Sequence, residues 1–261
     1  MKANQLTFGV EIECLVPETM VLAAGGYHSG QPIPELPRWN CQTDRSLSSE
    51  PGFRTVEVVS PVLKGEDGLC NMADTYLWLK ENGAKVNGSC GFHIHIGAKD
   101  FSDEQIQSIM AAFRKYELAF FALNGSEMAS RYNSRYCANS QAWTDQNLPS
   151  DTAGAQNHYK RYRSLNTTNV GRGRRSTIEF RLFAATMEPE AAVTAVYMVC
   201  ALVAKAASEV SGDATRLPIT ESVETFLSQH YSDTSNWSII EDESPADIST
   251  ELMRKYNESR A

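Results

Sequence analysis

The chain has 261 residues, with 24 basic and 32 acidic side chains and a net charge of −8. This negative charge argues against broad nucleic-acid binding and against binding to a membrane surface. None of the six cysteines forms a CxxC pair, which argues against zinc-ribbon and thioredoxin-like sites. The first seven residues are polar and contain no apolar leader segment, so we expect a cytoplasmic protein with reduced thiols.

The length and the charge distribution predict one domain over residues 1–212, followed by an acidic helical extension over residues 213–261 that packs on the same domain. Residues 131–181 carry nine basic and three acidic side chains, whereas the extension carries four basic and ten acidic ones. We therefore expect the middle of the chain to bind anions. The longest apolar run, 191–204, is too short to span a bilayer and is typical of a buried helix.

The predicted elements alternate between strands and helices along the chain. Alternating apolar and polar residues predict strands over 6–15, 54–59, 91–97 and 177–183. The apolar spacing predicts three helices: one over 66–82 ending before Gly83, one that begins with a capping box of Ser102 and Gln105, and one over 191–207 opened by Pro189. Residues 17–40 and 131–176 show no strong period and are predicted as long loops.

Three of these strands carry charged or metal-binding side chains at positions i and i+2 of the polar face. Residues i and i+2 of a strand point to the same side of a sheet, so each pair lies side by side. If the strands share one sheet, one face is a core and the other gathers a single polar cluster. The cluster consists of Glu11, Glu13, Glu57, His93, His95, Glu179 and Arg181.

Carboxylates with one or two imidazoles are suited to a divalent cation, and the oxygen-rich majority favours Mg²⁺ or Mn²⁺. An arginine beside cation-bound carboxylates can hold a transferring phosphoryl group in its planar fork. Simpler interpretations remain open for each strand. A charged strand face is usually solvated, an HxH pair is often a surface pair or part of a zinc site, and Glu179 with Arg181 can be a cross-strand salt bridge.

The prediction of a shared site depends on the same pattern recurring in three strands, with Glu57 on the alternating pattern of a fourth. Gly91 and Gly97 bracket the histidine pair and would allow the backbone to be approached closely.

At these residues the sequence resembles the amidoligase family, a branch of the glutamine synthetase and glutamate–cysteine ligase superfamily. The resemblance extends in order from about Phe8 to Leu202, and the order and spacing of the motifs make it specific. The motifs are FGVEIE (8–13), TDRSL (43–47), TVEVVSPVL (55–63), VNGSCGFHIHIG (86–97), RYRSLN (161–166) and TIEFRLFAATMEP (177–189). The implied fold is α+β, with a curved antiparallel sheet of the glutamine synthetase catalytic-domain type and helices on its convex face.

The resemblance also implies roles for individual residues. Glu11, Glu13, Glu57 and Glu179 resemble the metal-binding glutamates of the family, and His93 or His95 resembles its metal- and nucleotide-side histidine. Arg181 resembles the arginine that contacts the transferred phosphoryl group, which makes Arg181, Glu11 and Glu179 the expected catalytic residues. Arg161 and Asn166 match a family motif and are expected to contact phosphate or substrate. Asp44 lies in the family's D-x-S segment without an assigned role.

The implied activity is that of an ATP-dependent C–N ligase that forms an amide or isopeptide bond through an acyl phosphate, with ATP and Mg²⁺ (or Mn²⁺) as cofactors. Its substrates would be a small-molecule or peptide carboxylate and an amine. Three alternatives remain open: a metal-dependent hydrolase using the HxH and carboxylate cluster, a phosphotransferase on the same sheet, and a non-catalytic binding protein. The identity of the substrates, the general base and the oligomeric state do not follow from the sequence.

The resemblance thins over two segments and stops after Gly212. Residues 21–38 and 136–159 match no family motif and are expected to select the substrate. The Gly-rich segment 171–175 would either order over phosphates or form a basic hairpin.

Overall fold

The computed structural model describes residues 3–26, 29–124, 127–139, 161–173 and 176–208. The predicted acidic extension 213–261 lies outside the described residues, so the division at residue 212 stays a prediction. Most of the predicted substrate-selecting segment 136–159 and the last two positions of the Gly-rich segment 171–175 also lie outside them.

The fold is α+β and is built on one open antiparallel sheet, as the family resemblance implies. Among the described residues the sheet has eight strands in the order β2-β3-β4-β1-β6-β8-β7, and β5 pairs with the beginning of β1. The four long strands are Thr7–Pro17 (β1), Phe53–Val59 (β4), Gly91–Gly97 (β6) and Thr177–Ala184 (β8). The short strands are Gln31–Pro32 (β2), Asn40–Gln42 (β3), Leu63–Lys64 (β5) and Leu165–Asn166 (β7).

One face of the sheet is the hydrophobic core. In β1 the alternate residues Phe8, Val10 and Ile12 are buried on this face, as their spacing predicts. Three helices cover it: Gly65–Glu81 (α1), Asp103–Ala122 (α2) and Pro189–Ser208 (α4). Aromatic rings join the helices to the strands, with the Phe113 and Phe180 ring centroids 5.3 Å apart. The opposite face is therefore free to carry polar residues.

The helix boundaries agree with their sequence signals. α1 is followed by Asn82 and then by Gly83, whose φ of 77° is the left-handed conformation that ends many helices. The capping box that opens α2 is formed by Ser102 and Gln105, each hydrogen-bonding the backbone of the other.

The helix α4 is longer than the apolar run that predicts it. Its 20 residues are long and apolar enough to cross a membrane by length and composition, contrary to the expectation from residues 191–204 alone. Of its most apolar window, 78% is buried inside the protein, where it packs against α1 and α2. The predicted burial of this helix is confirmed.

Two segments predicted as loops contain strands or helix. β2 and β3 lie in or at the end of segment 17–40, and β7 lies in segment 131–176. A one-turn helix, Met128–Tyr132 (α3), overlaps the start of the second segment. Strands of two or three residues are too short to show a period, so alternation could not reveal them.

The pairing of β6 with β8 contains one irregularity. Phe92 faces Phe183 and Ile94 faces Phe180, so two residues of β8, Arg181 and Leu182, lie opposite His93 alone. This is a β-bulge, with one extra residue on β8. Strict alternation would turn Phe183 toward the polar face, but its ring packs with Phe92 in the core, at 6.5 Å between centroids. The bulge therefore restores Phe183 to the core.

Candidate functional site

The register of the sheet places the predicted site residues in three cross-strand rows. Glu13 of β1 faces Glu57 of β4, which in turn faces Gln42 of β3. Glu11 of β1 faces His93 of β6. His95 of β6 faces Glu179 of β8, which faces Asn166 of β7. Residues from six strands thus converge on one face, although they span more than 150 positions of the sequence.

These rows form the floor of a cavity of about 860 Å³. All seven members of the predicted polar cluster line it, and Asn166 and Arg161 line it too. The simpler interpretation of a solvated strand face fails for most of them, because Glu13, Glu57, His93 and Glu179 are each no more than 6% exposed. The segments that wall the cavity are 42–46, 88–89, 130–136 and 161–172.

His93 lies at the centre of the carboxylates. Its Nδ1 is 3.0 Å from Glu11 Oε2 and 3.7 Å from Glu179 Oε1, and its Nε2 is 3.6 Å from Glu13 Oε1. An ionised carboxylate can only accept a hydrogen bond, so the close contact with Glu11 places a proton on Nδ1. One imidazole thereby connects glutamates from two strands.

His95 contains a buried nitrogen without a hydrogen bond. Its Nε2 lies 3.2 Å from Glu11 Oε1, close enough for charge attraction, but the two atoms are not aligned for a hydrogen bond. Burial opposes the charge of this imidazole, yet the negative charges of Glu11 and Glu179 outweigh that effect and raise the pKa of His95 to about 9. Once the imidazole has lost its extra proton, this nitrogen beside two carboxylates can serve as a metal ligand.

The carboxylates do not ionise alike. Burial and the negative charge of Glu11 raise the pKa of Glu57 to about 9, so Glu57 is protonated at neutral pH. Burial also raises the pKa of Glu13. Burial opposes ionisation of Glu11 as well, but the charge of His95 and the hydrogen bond with His93 hold the pKa of Glu11 well below its usual range. Crowded carboxylates without a cation share protons in this way.

Three overlapping sets of side chains could hold a metal ion. In each set the candidate ligand atoms lie within 4.8 Å of one another, a spacing that one cation, or two sharing a carboxylate, can satisfy. The sets are Glu11, Glu57 and His93; Glu11, His95 and Glu179; and Glu13, Asp44 and Glu57. Every metal-binding residue predicted from the sequence belongs to at least one set, and the third adds Asp44.

Arg181 lies at the edge of this cluster and is paired with Glu179. The two side chains are two positions apart on β8 and form a buried ion pair, so the salt bridge is within one strand and not across strands. Asn166 donates from Nδ2 to the other carboxylate oxygen of Glu179 at 2.6 Å. Arg181 also donates from Nε to the backbone oxygen of Tyr136 at 3.3 Å. Its guanidinium is therefore held between the floor and the wall.

Arg161 lies in the wall of the cavity and not on its floor. It is exposed, and its guanidinium carbon is 5.9 Å from the centre of the Tyr162 ring. Arg172 lines the same wall. The wall thus contributes positive charge opposite the acidic floor, as the basic middle of the chain predicts.

Three of the cavity residues that the sequence analysis did not single out form hydrogen bonds with the predicted cluster. Gln42 donates to Glu57, Arg131 donates to the backbone of Arg181, and Tyr136 accepts from Arg181. Gln42 lies in a three-residue strand, and the other two lie in a segment without a period. The local excess of arginine in residues 131–181 was the one signal that pointed to Arg131.

The close approach predicted at Gly91 is present. A Cβ on Gly91 would lie 3.0 Å from Arg131 Nη2 and 3.1 Å from both Glu13 Oε2 and His93 Nε2. A Cβ on Gly97 would meet Thr7. The two glycines therefore leave room for side chains that pack against β6.

The chain matches a known protein family. A family model described as "Putative amidoligase enzyme" matches residues 4–148, more than half of the chain. The matched range contains the first five members of the predicted cluster, from Glu11 to His95, and ends before Arg161. No curated protein matches the chain significantly.

Proposed function

The chain belongs to the amidoligase family, and on that premise we propose that it is an ATP-dependent carboxylate–amine ligase that uses Mg²⁺ or Mn²⁺. The observation that carries the proposal is the buried floor of carboxylates and imidazoles with Arg181 at its edge. Such a cluster is costly without a bound cation, because buried like charges repel and lose their hydration. The same floor beside an arginine suits phosphoryl transfer.

In the proposed reaction, a substrate carboxylate attacks the γ-phosphoryl group of ATP and forms an acyl phosphate with release of ADP. An amine then attacks the acyl carbon, loses a proton and displaces phosphate. Bound Mg²⁺ would supply positive charge that offsets the charge of the phosphates. Arg181 would hold the oxygens of the transferring group in its planar fork, with Glu179 and Asn166 fixing its direction.

In this proposal, the residues of the floor bind the metal ions, and residues of the floor and the wall contact the nucleotide or the substrate. Glu11, Glu13, Glu57, Glu179, His93 and His95 would hold the metal ions. Arg161 and Asn166, with the histidines, would contact the nucleotide phosphates or the substrate. The positive wall suits an anionic substrate, which a carboxylic acid of either a small molecule or a peptide supplies.

We also propose that the sheet is of the glutamine synthetase catalytic-domain type. An open antiparallel sheet with helices on one face and a charged cavity on the other supports this assignment. In that case the face that carries the rows is the concave one, and the helices α1, α2 and α4 lie on the convex side.

The proposal is tested by ADP release from ATP and Mg²⁺, measured with pools of carboxylic acids and with and without pools of amines. A ligase releases ADP and phosphate in equal amounts, only when both substrates are present. Arg181→Lys is the control against a contaminating ATPase, because a lysine offers one mobile charge in place of the fork, and we expect a loss of about 10²–10³ in rate.

Two outcomes would overturn the proposal. ADP release with a stable phosphorylated product and no free phosphate would indicate a phosphotransferase. Hydrolysis that depends on Zn²⁺, without ATP turnover, would indicate a metal-dependent hydrolase; the family match does not favour it.

A further inference from the structure

The bulge on β8 lies in the backbone that carries Arg181. Because Arg181 and Leu182 together face His93, neither has a partner residue of its own on β6. The amide of Arg181 donates to Ser164 O on the other side at 2.7 Å. The carbonyls of the two bulged residues also accept hydrogen bonds from side chains outside the sheet.

Arg131 supplies these donors from α3. Its Nη2 donates to Arg181 O at 2.6 Å, and its Nε donates to Leu182 O at 3.4 Å. The residue is 5% exposed, and it reaches the bulge through the space that Gly91 leaves open. A planar fork can bridge two neighbouring carbonyls, whereas a lysine has one nitrogen and cannot span both.

The other contacts of the bulge come from Asn124. Its Nδ2 donates to Leu182 O at 3.1 Å, and its Oδ1 accepts from Ala184 N at 2.7 Å. Asn124 therefore holds the part of β8 beyond Arg181, while the carbonyl of Arg181 depends on Arg131. A substitution of Asn124 therefore tests the support of β8 in general, whereas a substitution of Arg131 tests the support of Arg181 in particular.

We propose that Arg131 is a positioning residue for the reaction: its fork fixes the bulge and thereby aims the Arg181 guanidinium into the cavity. The proposal rests on the proposed function, in which Arg181 contacts the transferring group. A displacement of such a group by about 1 Å costs about 10²-fold in rate. Arg131→Met should therefore lower kcat by about 10²-fold and leave the KM for ATP little changed.

A double-mutant cycle tests this route of action. Because Arg131 acts through Arg181, the double variant Arg131→Met with Arg181→Lys should be no slower than Arg181→Lys alone. A residue that merely stabilises the fold would give losses that multiply. Asn124→Ala is the matched control: it removes one contact to the bulge, at Leu182, and one to Ala184 beyond it, and should keep kcat within about threefold of the wild type, even if melting falls.

If Arg131→Met does not fold, a second variant, Arg131→Lys, tests the same role. If the protein is not a ligase, a spectroscopic measurement that does not depend on activity still tests it. Arg131→Lys keeps the charge but only one donor, and should show the same loss of kcat. In a proton–nitrogen correlation spectrum, the Nε–H signal of Arg181 is assigned by its absence in Arg181→Lys. It should shift in both Arg131 variants and stay in place in Asn124→Ala.

The results for the Arg131 variants test the positioning role, and the activity of the wild-type protein tests the ligase proposal. An unshifted Arg181 signal in the Arg131 variants, multiplying losses in the cycle, or full activity of Arg131→Lys would overturn the positioning role. A wild-type protein that releases no ADP would overturn the ligase proposal, and the Arg181 signal would still decide the role of Arg131.

Discussion

Two side chains of the floor, Glu57 and His95, hold protons at neutral pH, since the pKa of each is raised to about 9. A metal ion needs both in their deprotonated forms, so binding at pH 7 must release protons. We therefore predict that the affinity for Mn²⁺ rises with pH between about 6 and 9 and levels off above that range, where both groups have already lost their protons.

Titration calorimetry in two buffers of different ionisation enthalpy measures the number of protons released. We expect between one and two protons per site at pH 7. An affinity that stays constant from pH 6 to 8, with no dependence on the buffer, would contradict both the assignment of the ligands and the shared protons.

We predict that the substitution of glutamate by glutamine affects stability much less at Glu57 than at Glu179. Glu57 is neutral at pH 7 and accepts from Gln42, so Glu57→Gln preserves charge and shape and should change the free energy of unfolding by less than about 1 kcal/mol. Glu179→Gln removes the partner of the buried Arg181 charge and should lower the free energy of unfolding by about 3 kcal/mol.

Urea denaturation of the two metal-free variants measures this difference directly. Both should lose affinity for Mn²⁺, because each lacks one carboxylate ligand. Equal stability losses in the two variants would show that Glu57 is ionised in the metal-free protein.

At the scale of one element, β6 depends on the absence of a side chain at Gly91. A Cβ there would lie 3.0–3.1 Å from three packed polar atoms, which is closer than ordinary van der Waals contact. Gly91→Ala should therefore lower the free energy of unfolding by about 1–3 kcal/mol and weaken Mn²⁺ binding, because Glu13 and His93 must move.

Gly88→Ala is the matched control for this variant, since a Cβ at Gly88 would meet one atom, at 4.0 Å. Thermal melting and Mn²⁺ titration of both variants check the prediction. Equal melting temperatures of Gly91→Ala and the wild type would mean that Arg131 and Glu13 can move away from the added methyl group without loss of stability.

The strands that carry most of the floor could be predicted from sequence because each is long enough to show a period of two. In β1 and β6 the alternation correctly placed Glu11 with Glu13 and His93 with His95 on the polar face. Gln42 could not be found in this way, because β3 has three residues and its membership of the row depends on tertiary pairing. Elements of that length have no signal of their own.

The bulge is a second feature that alternation could not predict. Its extra residue on β8 is detectable only from the register with β6, which a single sequence does not contain. Arg131, which supports the bulge, lies in a one-turn helix within a segment that shows no period. The long-range contact between them is a property of the folded chain.

For the molecule as a whole, the crowded carboxylates of the floor predict that a bound metal nucleotide stabilises the fold. A ligand present at about 100 times its dissociation constant stabilises the folded state by about 2.7 kcal/mol. For a chain of this size, we predict that Mg²⁺ with a non-hydrolysable ATP analogue raises the melting temperature by about 5–10 °C.

Differential scanning fluorimetry with the metal, the analogue and both together checks this prediction. Glu11→Gln should lose the shift, because Glu11 belongs to two of the three ligand sets. A full shift with Zn²⁺ alone and none with the magnesium nucleotide would count against nucleotide binding.

The cross-strand rows lie in the middle of the sheet, so we expect the floor of the cavity to open less often than its walls. Most of the floor lies on β4, β1, β6 and β8, which have neighbours on both sides, so their amide hydrogens should exchange with water only when the whole domain opens. The walls at 42–46, 130–136 and 161–172 have few strand partners and open at lower cost. Substrates would therefore enter and leave through fast rearrangements of the walls, over a floor that stays in place between rare openings of the domain.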